Sequence, residues 1–216
     1  MLPGPDAIRC CTVCGGEFRH RTLASGNTLG ARFWTDGKME APMLPDQPEL
    51  LRCPHCGALV WLEDATQVGE QWGSPFEDDE IADRNTPAAT IPTSQEHRRH
   101  LAEVSGDPER ERYVRLRIWW AENDARRAGG DQAPLAPAEA ENLFALLPLL
   151  DEEDDSERLL KAEAMRELGL FPSAASLLRR PFEPDLEPAA ACIGQLVEQR
   201  VTGVAEIRSE TSEYQG

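Results

Sequence analysis

The spacing of apolar residues changes near residue 93. Before it, apolar residues come in short runs broken by Gly, Pro and Asp. In "ALVWLEDA" (58–65), Leu59 and Trp61 fall on one face and Val60 and Leu62 on the other, which predicts a strand. Earlier, Phe33 and Trp34 lead into Asp36-Gly37, a dipeptide that favours a tight hairpin turn. Together these predict a small β unit with a hairpin and a third strand, in which Trp34 and Trp61 supply core.

Beyond residue 93 the period becomes helical. Thr93-x-x-Glu96 matches a capping box and opens a short helix to about Val104. Asp107 caps a longer one with Pro108 at its first position. In "ERYVRLRIWWAENDARR" one stripe is Tyr113, Leu116 and Trp120, and another is Val114, Ile118, Ala121 and Ala125. Two adjacent stripes predict a helix buried between neighbours, with Trp119 and Trp120 as core. A third helix starts near Pro137, carries Leu143, Leu146, Leu147 and Leu150, and is disturbed in its last turn by Pro148. Asp151 to Asp155 precede the next helix, where carboxylates complement its dipole. That helix ends at Leu168-Gly169. Phe171 turns the corner, Ala174 opens another helix, and a last one covers about Glu187 to Arg200.

The cysteines add chemistry. Cys11-x2-Cys14-Gly15 and Cys53-x2-Cys56-Gly57 each read as a knuckle, two thiolates on a tight turn that a following Gly completes. Two knuckles supply four sulfurs, a closed tetrahedral shell for one Zn²⁺. Such a shell leaves no position for water or substrate, so the ion is expected to be structural. Cys10, His20, His55 and Cys192 are read as bystanders: an alternative neighbour, an isolated imidazole, knuckle filling and a small helix residue respectively.

Charge and composition narrow the function. Of 216 residues, 17 are Pro and 16 Gly, and the formal net charge is −17. Residues 1–64 carry 6 basic and 8 acidic side chains, net −2; the rest carry 16 and 31, net −15. Such a surface repels phosphate backbones and anionic lipid. The chain starts without a signal-peptide pattern and has no membrane-length apolar run, so a reducing cytoplasm is expected, where paired cysteines bind metal. No Ser-His-Asp set, phosphate loop or paired His ligands appear, and an enzyme is not expected.

The expected organisation is therefore α+β: a zinc ribbon over 1–65, an acidic Pro-rich linker over 66–92, a helical domain over 93–207 and a tail over 208–216. The two halves are expected to fold separately.

Leu159 to Leu178 resembles one tetratricopeptide-type helical hairpin. In that likeness Ala162 and Ala174 are the small contact positions, Met165 takes a place usually aromatic, Gly169 and Phe171 form the turn, and Leu178 is a large packing residue. The whole chain resembles a group of uncharacterised bacterial proteins with an N-terminal four-cysteine zinc ribbon and a tetratricopeptide-like C-terminal part. "CTVCGGEF", "LASGNTLGA", "RCPHCGALVWLEDA", "ERYVRLRIWWAENDARR" and "LLKAEAMRELGLF" carry that resemblance. It implies architecture rather than activity. The function expected is an interaction or adaptor module with a protein partner, contacted through Trp72, Phe76, Met165, Phe171 and Leu178. The alternative is a nucleic-acid factor or enzyme subunit that uses the ribbon.

Overall fold

The computed structural model describes residues 1–72, 86–129 and 134–208. The elements run β1 (Leu2–Pro3), β2 (Asp6–Cys10), β3 (Glu17–His20), β4 (Leu23–Ser25), β5 (Arg32–Trp34), β6 (Met39–Glu40), β7 (Leu50–Arg52), β8 (Leu59–Trp61) and β9 (Gln67–Gln71), then α1 (Ser94–His100), α2 (Pro108–Gly129), α3 (Pro137–Leu146), a 3₁₀ turn (Leu147–Leu149), α4 (Asp155–Glu167), α5 (Phe171–Leu177), α6 (Glu187–Glu198) and β10 (Glu206–Ile207). They form two compact units. The first holds Met1–Ala31 and Glu40–Thr93; the second takes Arg32–Met39 together with the chain from Ser94 onward.

In the first unit β2 lies between β3 and β9, both antiparallel to it, and β7 pairs antiparallel with β8. One core cluster is Cys11, Phe18, Cys53, Val60 and Ala65, with Leu62 and Ala89 against it, and Ala7, Leu50, Leu51 and Trp61 are buried as well. Val60 and Trp61 are both buried, so β8 is less strictly two-faced than alternation predicts. The stretch expected to begin a linker at residue 66 instead forms β9, with Asp6 opposite Gln71. Further on, Ala89 donates its N–H to the Arg19 carbonyl (2.9 Å), and Arg52 and Thr90 exchange backbone hydrogen bonds (2.8 and 3.2 Å). Arg19 Nε also donates to Thr86 O (3.1 Å). β9 itself buries no residue fully, so it leaves no hydrophobic alternation to read.

In the second unit two helices start where an aspartate satisfies a free backbone N–H. Asp107 Oδ1 accepts the Arg110 N–H (3.2 Å) at α2, and Asp154 Oδ1 accepts the Glu157 N–H (2.9 Å) at α4. Pro148 converts the end of α3 into the 3₁₀ turn. Gly169 closes α4 in the left-handed region (φ +75°), with Leu170 N–H reaching back to Met165 O (2.8 Å). α5 opens at Phe171 rather than Ala174, because Pro172 suits a first turn. Trp119, Leu143, Leu146, Leu150 and Ala164 form one core, and Leu159, Ala174, Ile193 and Val197 another.

The hairpin of Asp36-Gly37 forms, with Gly37 at φ +79° and Trp34 N–H bonded to Lys38 O (3.0 Å). It belongs to the helical unit, which corrects the placing of Trp34 in the small β unit. Trp34 is buried under the guanidiniums of Arg32 and Arg127, 4.6 and 5.3 Å from its ring centre. β5 pairs with β10, Thr35 N–H donates to Ala205 O (2.9 Å), and Arg32 pairs with Glu206 (2.9 Å). Asp36 is fully buried: its Oδ2 accepts from Asn123 Nδ2 (2.9 Å) and pairs with Arg127, and its carbonyl accepts from Trp120 Nε1 (2.9 Å). A Cβ on Gly37 would stand 2.6 Å from Leu160 Cδ2. The pull is chemical, since a buried carboxylate must find its cation, and sequence distance hides it.

Two predictions concern this unit. Ala174 is wholly buried among Leu159, Ile193 and Val197. Ala174→Leu should destabilise it by about 1–3 kcal/mol, read as a lower helical melting temperature; an unchanged one would place Ala174 at solvent.

Glu167 is the second case. It accepts from Trp119 Nε1 (2.9 Å) and Asn123 Nδ2 (3.0 Å) in the interior. Burial, then the nearby Glu163 and Asp36 carboxylates, push it up from 4.5 to about 8. Folding therefore takes up a proton. The stabilisation is full below about 4.5 and is lost as pH rises towards about 8. Melts at pH 5.5 and 8.5 should show the lower Tm at 8.5, and Glu167→Gln should flatten the difference. An equal slope in that variant would assign the dependence to another group.

Candidate metal centre

Each knuckle is the tip of a hairpin. Residues 11–16 join β2 to β3, whose last pair is Cys10 opposite Glu17; residues 53–58 join β7 to β8, whose last pair is Arg52 opposite Leu59. The two turns close alike. Gly15 N–H bonds Cys11 O (2.9 Å) and Cys11 N–H bonds Gly16 O (3.0 Å); Gly57 N–H bonds Cys53 O (3.0 Å) and Cys53 N–H bonds Ala58 O (2.8 Å). Gly15 and Gly57 sit at φ +70° and +75°, where a side chain is strained.

The tips meet. The four sulfurs of Cys11, Cys14, Cys53 and Cys56 all lie within 4.8 Å of one another, with Cys11 to Cys56 and Cys14 to Cys53 both 3.8 Å. Four sulfurs about 2.3 Å from a tetrahedral Zn²⁺ stand about 3.8 Å apart. The donor set and its spacing therefore fit a four-thiolate ion. Cys11 and Cys53 are buried, Cys14 and Cys56 exposed.

The thiols respond to the crowding. Burial works against the Cys53 thiolate, but amide hydrogen bonds from Cys56 and His55 bring it down to about 7. Cys14 takes a hydrogen bond from the Gly16 amide, yet the Cys56, Cys11 and Cys53 sulfurs drive it up to about 12. The Cys53 thiolate forms readily here and Cys14 resists. A cation supplies the charge that releases the remaining protons.

Among the described residues, the remaining Cys and His side chains stay outside the group. Cys10 ends β2 and Cys192 lies in α6. His20 accepts from Arg9 Nε (3.1 Å) and is lowered by burial and that guanidinium. His55 has a part that spacing did not reveal. Its Nε2 lies 2.7 Å from the Glu17 carbonyl, and its ring covers Gly16, where a Cβ would be 2.7 Å from Cδ2. It bridges the second knuckle to the first, and Gly16 leaves room for it. Arg9 was also missed: its Nη1 donates to Leu62 O (2.9 Å) and Ala65 O (2.6 Å), binding β2 to the chain after β8. Extra Gly in "CGGEF" against "CGALV" is the only trace of the first, and the second leaves none.

The expected partner residues divide. Trp72 is exposed. Met165, Phe171 and Leu178 are half-buried and pack on Leu159, Ala174, Ile193 and Val197. Phe76 lies outside the described residues. No described helix is long and apolar enough to cross a membrane. Comparison with protein-family models, curated proteins and solved structures found no match to this chain.

The centre should take up one Zn²⁺ per chain. Elemental analysis should return a ratio near one, and Cys53→Ser should abolish it and unfold the hairpins. Zinc lost from Cys10→Ser but kept by Cys11→Ser would reassign the ligands.

Proposed function

We propose that the chain is a zinc-stabilised interaction protein of the cytoplasm. In this reading the N-terminal unit is a ribbon-like fold held by a structural Zn²⁺ on Cys11, Cys14, Cys53 and Cys56. The helical unit, with α4 and α5 as a tetratricopeptide-like hairpin, offers the docking surface. The observation that carries it is the sulfur tetrad, which fills every position of a tetrahedral ion and leaves none for substrate. Ala162 and Ala174, both fully buried, support the hairpin likeness, because small residues let helices approach closely. The bacterial group named above rests on motif likeness alone.

The partner of this reading is a protein with a neutral or basic surface, and the ion has no catalytic role. Trp72 is the leading anchor, since exposed aromatic residues dominate binding when they enter a pocket. Met165, Phe171 and Leu178 contribute only the part of each side chain that the helical core leaves open.

Two measurements test this. The zinc-loaded chain should show no binding to mixed-sequence duplex DNA or single-stranded RNA at about physiological salt, where the acidic half repels phosphate. A partner cross-linked in the native host should be a polypeptide and should be recovered less well with Trp72→Ala. Salt-sensitive nucleic-acid binding that disappears without residues 1–64 would replace the proposal with the alternative.

A further inference from the structure

The chain that joins the two knuckles, Gly15 to Arg52, is not left as a loop. Its middle, Arg32–Met39, is built into the helical unit. The attachment is extensive: strand pairing with β10, the reciprocal Thr35–Ala205 hydrogen bonds (2.9 and 3.1 Å), the Arg32–Glu206 pair, and Asp36 held by Arg127, Asn123 and Trp120. Lys38 adds an ion pair with Asp124. On the other side Arg166, itself paired with buried Glu163 (2.5 Å), donates to Gly203 O (3.0 Å) and to Val201 O, fixing the approach to β10.

We propose that Arg32–Met39 is a strap through which metal occupancy of the four-cysteine centre and the folding of the helical unit reinforce one another. The inference rests on the metal reading above. An ion on the two knuckles fixes both ends of the 15–52 segment. The strap then docks from two short legs, Gly15–Ala31 and Glu40–Arg52, instead of from a loose chain, and short legs raise its effective concentration at its seat. The converse holds by linkage: a docked strap holds the two legs in place and favours closure of the sulfur shell. A strap that only packed would show neither effect.

The test uses the full chain. Zinc is removed with a chelator and hydrogen exchange is followed at the Thr35 and Ala205 amides, both far from the sulfurs in sequence. Their protection should fall several-fold when the ion leaves. Asp36→Asn should release zinc to a chromogenic chelator several-fold faster than the natural chain, although Asp36 is not a ligand. Inserting a run of Gly and Ser between the exposed residues Asp46 and Gln47 lengthens one leg without touching either seat, and should weaken both effects. If Asp36→Asn fails to fold, the chelator and insertion measurements decide. Metal that leaves with Thr35 and Ala205 protection unchanged, or coupling that ignores leg length, overturns the strap alone. A chain that takes up no metal overturns the strap and the metal reading together.

Discussion

Four sulfurs packed at the edge length of a tetrahedron depend on a positive charge. Neutral thiols gain little from such proximity, and four thiolates repel one another. The sulfurs are also built into the interior of the first unit, beside the buried Leu50, Leu51 and Trp61. In the cluster around the sulfurs, Cys11 and Cys53 are candidate ligands and Phe18, Val60 and Ala65 pack against them. A buried Phe or Val contributes about 1.5–3 kcal/mol, whereas a structural zinc contributes about 10–16 kcal/mol. The ion would therefore be the largest single contribution to that interior. The hairpins, matched turns and left-handed glycines are what present the sulfurs at the right spacing.

In the helical unit the comparable constraint is a buried carboxylate. Asp36 gathers Arg127 and Asn123 on one oxygen, and the Lys38 amide donates to the other (3.2 Å). A buried ion pair is a poor source of net stability, because desolvating both charges offsets most of their attraction. It is costly to break, however, since either charge left alone in the interior has no water. The strap therefore has one low-energy seat and no adjacent one. Glu167, bonded to the same Asn123 as well as to Trp119, extends the cluster into α4. α2, α4 and the strap are thus placed by one set of polar partners.

Local chemistry was legible where the chain carries its own partner. Asp107, Pro108, Pro148 and Gly169 mark helix ends by mechanisms within one turn, and the ends fall close to them. The four cysteines were legible because their spacing is itself the ligand geometry. The strap was not, because Asp36 and Arg127 lie far apart in sequence and each alone looks like a surface charge. β9 was not, because an edge strand held by main-chain hydrogen bonds needs no apolar alternation. His55 reads as filling within its own knuckle, since its work is done at the Glu17 carbonyl on the opposite hairpin. In each case the missing information was a partner remote in sequence.

The arginines sharpen the argument about partners. Composition gives the chain from residue 65 onward 16 basic side chains, enough to suggest a modest phosphate-binding face. Phosphate recognition needs exposed, extended cations. Here Arg127, Arg158 and Arg166 are held in the interior with Asp36, Asp155 and Glu163. Arg126 pairs with Glu139, Arg98 with Glu122, Arg112 with Glu157 and Arg115 with Glu111. Moving any of these onto a nucleic acid would strand a carboxylate, several of them buried. The arginines thus serve mainly to neutralise the unit's own acids, while the uncompensated acidic excess stays. A partner that meets this surface gains by bringing cations or apolar groups, which a protein carries and a phosphate backbone does not.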